Sequence, residues 1–100
     1  MHLYIVTRRD LSAGQQLAQV GHAAFQFSQQ FPVNTKIWYQ KSNYICILAV
    51  ENETELQHLV NINACMSIVQ EPDLDGAVTA IAFEPSPEVK NHLAGLNLAG

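Results

Sequence analysis

Basic residues are scarce in this 100-residue chain: five lysines and arginines stand against nine aspartates and glutamates, and charged residues make up only 14%. A surface that tracks nucleic acid along its backbone needs many cations, and so thin a positive footprint argues against one. The balance is also uneven. Residues 1–50 carry Arg8, Arg9, Lys36 and Lys41 against Asp10 alone, whereas residues 51–100 carry Lys90 against eight carboxylates. The basic half can be a side that faces a polyanion or an ordinary solvated surface, and composition does not separate the two. There are only two cysteines, Cys46 and Cys65, in separate apolar segments. Buried, reduced thiols are expected, with a bridge conceivable only if the two segments pair as neighbouring strands. His2, His22, His58 and His92 are scattered without a cysteine or carboxylate at ligand spacing, so neither a metal nor another cofactor is expected. No glycine-rich phosphate loop, repeat, linker or low-complexity segment is present. Apolar runs are too short to span a membrane, and the N-terminus lacks the basic start and small-residue cleavage site of a signal peptide. A cytoplasmic protein with no membrane partner is expected.

What the chain does have is apolar residues, 48% of the total, enough for one packed core and one domain over residues 1–100. Leu3–Thr7 is apolar on both alternating faces, as in a strand covered on both sides. Ser12 can then cap a helix from about Ala13 to about Gln30, with Gln15 in the capping-box position. Leu17, Val20, Ala24, Phe27 and Phe31 fall on one face of that helix. Gln15, Gln19, His22, Gln26 and Gln30 fall on the other, which predicts an amphipathic helix with its apolar stripe on the core. Residues from Pro32 through Trp38 and Tyr39 read as less regular, with at most a helical turn.

Tyr44–Val50 is a second doubly covered strand. Asn52 caps a second helix with Glu53 and Glu55 in its first turn, where the helix dipole favours carboxylates. Cys65–Gln70 and Val78–Phe83 read as third and fourth strands around the turn-rich Glu71–Gly76. Ser86 with Pro87 opens a last short helix to about Leu93. The order βαβαββα predicts an α/β fold, a three-layer α/β/α sandwich on a mixed sheet of about four strands. Its first pair should be parallel, and its third and fourth strands antiparallel.

Functional crevices in open α/β sheets lie at the carboxyl ends of strands, which selects the Arg8–Gln15 junction and the turn at Glu71. Unpaired amides at the helix start beside Arg8 or Arg9 can hold a phosphate; equally, Ser12 and Asp10 can satisfy those amides themselves. His22 on the polar stripe can transfer protons near neutral pH or simply be solvated.

Three stretches carry a resemblance. Val6–Leu11 with Gly14–Ala24 is similar to a strand ending in Arg-x-Asp-Leu and a helix with a Gly-Lys-x-Ala-Ala-Gln-x-x-His-Ala signature. Gly76–Pro85 is similar to a Gly-x-x-Thr strand ending in Gly-Pro, and Gly95–Leu98 to a closing Gly-x-Leu-x-Leu tail. Together they resemble the archaeal and eukaryotic type 2 peptidyl-tRNA hydrolases across nearly the whole chain. The resemblance implies a metal-independent esterase that releases peptide from tRNA, with peptidyl-tRNA as partner, and it admits a homodimer. It carries over Gln15, Glu71, Thr79 and His22 as catalytic candidates, and Arg8, Arg9, Asp10 and Gln19 as substrate-binding ones. Departures accompany it. Gln15 stands where the family has lysine, and Glu71 where it has aspartate. The turn after Glu71 is short and lacks the segment carrying a further threonine, and the loop before the first helix has lost its lysines. Two functions follow: a divergent peptidyl-tRNA hydrolase, or a non-catalytic module on the same fold that binds RNA, a nucleotide or a protein.

Overall fold

The computed structural model describes residues 1–99. Residues His2–Arg8 form strand β1, followed by helices α1 (Ala13–Gln30) and α2 (Pro32–Lys41), strand β2 (Tyr44–Val50) and helix α3 (Glu53–His58). Strands β3 (Met66–Glu71) and β4 (Ala77–Phe83), helix α4 (Pro87–Leu93) and the two-residue strand β5 (Asn97–Leu98) complete the chain. The expected βαβαββα order is present, with a helix inserted after α1 and a strand added at the end.

The strands form one sheet in the order β3-β4-β1-β2-β5. Only β1 and β2 are parallel, joined by the crossover through α1 and α2; the other neighbours are antiparallel. The alternation of side chains across the pleat divides the core in two. On one face Leu3, Ile5, Ala80 and Ala82 meet Ala23 and Phe27 of α1 and Trp38 of α2. On the other, Val6, Leu48, Ile81 and Phe83 meet Leu56 of α3 and Val89 and Leu93 of α4. The three-layer architecture therefore follows from strands that are apolar on both faces.

Ser12 caps α1 as expected: its side chain accepts from the Gln15 amide while Gln15 Oε1 accepts from the Ser12 amide, at 3.2 and 3.0 Å. Val20, Ala24, Phe27 and Phe31 of the predicted apolar stripe pack against the core. The helix is nevertheless turned enough that Gln19 and Ala23 are buried beside Phe27, while Leu17 is 74% exposed. The reason lies in the strands beneath it. On the α1 side, β3 and β4 present the polar residues Ser67 and Thr79 together with Glu71, and the glutamines turn inward to meet them. Matching those polar groups outweighs burying one leucine, because a buried polar group without a partner costs more than an exposed apolar side chain.

Where a less regular stretch was expected, Pro32–Lys41 is a ten-residue helix. Pro32 has no N–H to continue α1 but is pre-set for a first helical position, so one residue ends α1 and starts α2. Trp38 then reaches the core, its indole donating to the Tyr44 carbonyl at 2.7 Å. Cys46 and Cys65 are free and half-buried rather than fully buried, and the third strand begins one residue later than expected, after Cys65. Two strands separate their segments, so the spacing of about 4.8 Å per strand puts a bridge out of reach. Partial burial, then Glu84, pushes the Cys65 thiol up from its ordinary value and away from the reactive thiolate.

The rotation of α1 is directly testable by chemical denaturation. Phe27→Ala should lose about 3–5 kcal/mol of stability, whereas Leu17→Ala should stay within about 0.5 kcal/mol of the parent. Equal losses at the two positions would contradict the helix orientation.

Candidate functional site

Between Val69 and Gln70 the β3–β4 ladder shifts register: Val69 pairs with Ala80, but Gln70 pairs with Val78. Thr79 is therefore an extra residue on β4, a bulge that points Thr79 as well as Ala80 toward α1. Bulges break the regular ladder, and here side chains satisfy the backbone groups around it. The Val78 amide donates to Glu53 Oε2 at 2.7 Å, and the Val78 carbonyl accepts from Arg8 Nη1 at 3.0 Å. Thr7 Oγ1 donates to the Thr79 carbonyl, also at 3.0 Å.

From this bulge a chain of hydrogen bonds runs outward. Thr79 Oγ1 donates to Gln19 Oε1 at 2.7 Å, and Gln19 Nε2 donates to Glu71 Oε2 at 3.1 Å. The other carboxylate oxygen, Glu71 Oε1, accepts from the Asp73 amide at 3.3 Å. Thr79 is fully buried and Gln19 only 6% exposed, while Glu71 is half-buried. The side-chain amide thus couples an interior hydroxyl to a carboxylate at the surface. A turn makes that placement possible: Pro72–Leu74 is a short 3₁₀ turn, Asp75 is left-handed (φ 55°), and Gly76 follows at φ 75°, where glycine alone carries no side-chain penalty. The Gly76 amide closes the turn on the Glu71 carbonyl at 3.0 Å.

Glu71 stands where two grooves meet. The smaller, about 190 Å³, is lined by Leu11, Gln15, Gln19, Asp73 and Leu74 together with Glu71. The larger, about 590 Å³, runs along α1 past His22, Phe25 and Gln29. Gln15, Gln19, Glu71 and Thr79 are therefore brought together on one side, and exposed His22 lines the neighbouring groove that Glu71 also borders. The lining of the smaller groove holds two carboxylates and no cation.

The two arginines do not join this group. Arg8 forms a two-pronged pair with Asp10, both prongs 2.9 Å, and only 13% of its side chain is exposed. Its hydrogen bond to Asp10 is the main cause that raises its pKa, and the same bond holds the Asp10 carboxyl below its ordinary value. Arg9 turns the other way, donating to the Leu98 carbonyl at 2.9 Å and approaching Glu51 at 3.4 Å. No role at a site was expected for Thr7, Glu53, Gln26 or Phe25. For Gln26, which donates to the Ile68 carbonyl at 2.9 Å, the available signal was the glutamine spacing itself. Thr7 and Glu53 act through a bulge that no local pattern announces. Among the described residues no three His, Cys, Asp or Glu side chains gather as a metal site, and no helix is long and apolar enough to cross a membrane.

The model of the family described as peptidyl-tRNA hydrolase PTH2 matches residues 1–98. Among solved structures, the chain is similar to a protein of unknown function, Atu0240 from Agrobacterium tumefaciens strain C58. The TM-score is 0.60 at 16% identity, with 99% of this chain and 97% of that one covered. At that identity the likeness concerns the fold alone. No curated protein matches the chain.

Two measurements test the site's geometry. Thr79→Val leaves the buried Gln19 oxygen without its donor and should cost about 1–3 kcal/mol, whereas Thr79→Ser should cost far less; equal losses would mean that the threonine matters only for packing. The Arg8–Asp10 pair should contribute a modest stabilisation, below about 1 kcal/mol because Asp10 is exposed. Since the folded Asp10 pKa is depressed, that contribution is present above the unfolded value of about 3.9 and is lost as pH falls through the lower folded one. Asp10→Asn should flatten that part of the acid dependence of stability, and an unchanged profile would contradict it.

Proposed function

The chain belongs to the peptidyl-tRNA hydrolase PTH2 family, and we propose that it hydrolyses the ester between a peptide and tRNA, with Glu71 at the reacting centre. The observation that carries this reading is the Thr79–Gln19–Glu71 chain of hydrogen bonds, which fixes a carboxylate at the junction of two open grooves. A purely structural carboxylate has no need of that exposure, and each of its oxygens retains room for a further hydrogen bond.

In this reading Glu71 accepts a proton from water as the water oxygen attacks the ester carbonyl. The proton then passes to the ribose oxygen as the carbon–oxygen bond breaks, leaving a free acid and a tRNA hydroxyl. Gln15 faces the same groove and supplies a neutral amide to the developing oxyanion. Thr79 does not reach the groove; it acts as a positioning residue through Gln19. His22 assists from the adjoining groove. Arg8, Arg9 and Asp10 lie at the end of β1; Arg8 and Asp10 form a neutralised pair that shapes the strand end, and Arg9 attracts the acceptor strand by charge.

The alternative of a non-catalytic binding module rests on the same groove: the side-chain oxygen of Gln15 is already engaged by the Ser12 amide, and no cation faces Glu71 there. Single-turnover release of peptide from peptidyl-tRNA separates the two. Glu71→Gln should lower release on the order of a hundredfold. Thr79→Ala should lower it less, and Gln15→Lys should raise it by placing a cation beside the carboxylate and the oxyanion. If the parent and all three variants remain folded yet match the uncatalysed background, the hydrolase reading fails and the binding module stands.

A further inference from the structure

The larger groove is more than an approach to Glu71. Phe25 stands on its α1 wall with 69% of its surface exposed, on a helix whose other aromatic residue, Phe27, is buried. Around that ring stand His22 on the same helix face, Gln29 one turn on, and Gln70 across the groove at the end of β3. The side chains of His22, Gln29 and Gln70 make no hydrogen bond among the described residues, so their donors and acceptors are open to a ligand. Glu71, also on the lining, ties this groove to the carboxylate chain.

We propose that this groove receives the unpaired 3′-terminal adenine of tRNA, with Phe25 as the stacking platform and Gln29 and Gln70 reading the edge of the base. The inference rests on the hydrolase reading, since an ester attacked beside Glu71 is carried by the ribose of that same nucleoside, and its base must lie about one sugar away. The chemistry of the lining selects a base over an amino-acid side chain. A flat aromatic face flanked by neutral carboxamides offers stacking together with paired donor and acceptor groups, and adenine presents both on its edge. An aliphatic side chain in the same place would strip water from the amides without replacing its hydrogen bonds. The volume of about 590 Å³ lies within the range of small-molecule sites. Stacking acts on the base itself and does not depend on the phosphates.

The test uses a short RNA ending in CCA whose terminal adenine is replaced by the fluorescent base 2-aminopurine, alongside the same RNA with an abasic 3′ end. The parent protein should quench the terminal base on binding. Phe25→Ala should abolish the quenching and weaken binding on the order of tenfold, Phe25→Trp should retain both, and the abasic RNA should bind the parent and Phe25→Ala alike. In peptide release, Phe25→Ala should raise KM by a similar factor with kcat nearly unchanged. The ring is exposed, so the variant should keep the parent's circular dichroism spectrum. If peptide release is intact but Phe25→Ala changes neither KM nor quenching, the base subsite falls and the hydrolase reading survives. If Phe25-dependent quenching is seen without any peptide release, the subsite stands and the hydrolase reading falls. Equal binding of base-bearing and abasic RNA by the parent overturns the proposal outright.

Discussion

One extra residue in β4 organises the rest of the molecule. A regular antiparallel ladder would alternate Val78, Thr79 and Ala80 across the sheet, and Thr79 would point into the apolar layer beneath α3 and α4. The bulge at Thr79 keeps Val78 on that layer while turning both Thr79 and Ala80 toward α1. It is held by groups from three other elements: Thr7 and Arg8 of β1, Glu53 of α3 and Gln19 of α1. Backbone groups released from a ladder must find partners elsewhere, and here those partners are polar side chains of β1 and α3.

From that constraint the orientation of α1 follows. Once Thr79 faces the helix, the helix must offer an acceptor, and Gln19 does so while its amide reaches Glu71 on β3. The neighbouring glutamines fall into the same register, Gln26 on the Ile68 carbonyl and Gln30 on Ser67. Leu17 and Phe25 are left on the outside. An 18-residue helix with no charged side chain is thus not a failed amphipathic helix. Its neutral amides satisfy the sheet on one side, and its outer face carries the exposed Leu17 and Phe25.

The family of the chain and the chemistry of its groove bear on each other here. Catalysis by electrostatic preorganisation depends on dipoles held in place before the substrate arrives. In the proposed reaction, a buried hydroxyl, a buried amide and a backbone N–H would do that for Glu71 without a nearby cation. The arrangement exchanges charge for rigidity, and the few arginines are spent on securing strand ends: Arg8 on the bulge, Arg9 on β5.

Local pattern determined what local forces decide: the apolar strands β1 and β2 and the capped starts of α1, α3 and α4. It also marked the turn beyond Glu71, and the residues quoted from the chain were enough to point to its family. Each of those depends on neighbours a few residues apart, through side-chain alternation, capping hydrogen bonds and turn chemistry. Tertiary structure alone decided that Gln19 of α1 is buried and Leu17 exposed, that Pro32–Lys41 is helical around a buried Trp38, and that two residues near the end pair with β2. The bulge belongs to the same group, because Thr79 reads as an ordinary strand residue until Thr7, Arg8, Glu53 and Gln19 are brought to it from separations of 25 to 72 residues. Hydrogen-bond satisfaction across such distances is a property of the assembled layers, and it turned α1 beyond the orientation that its apolar periodicity alone would set.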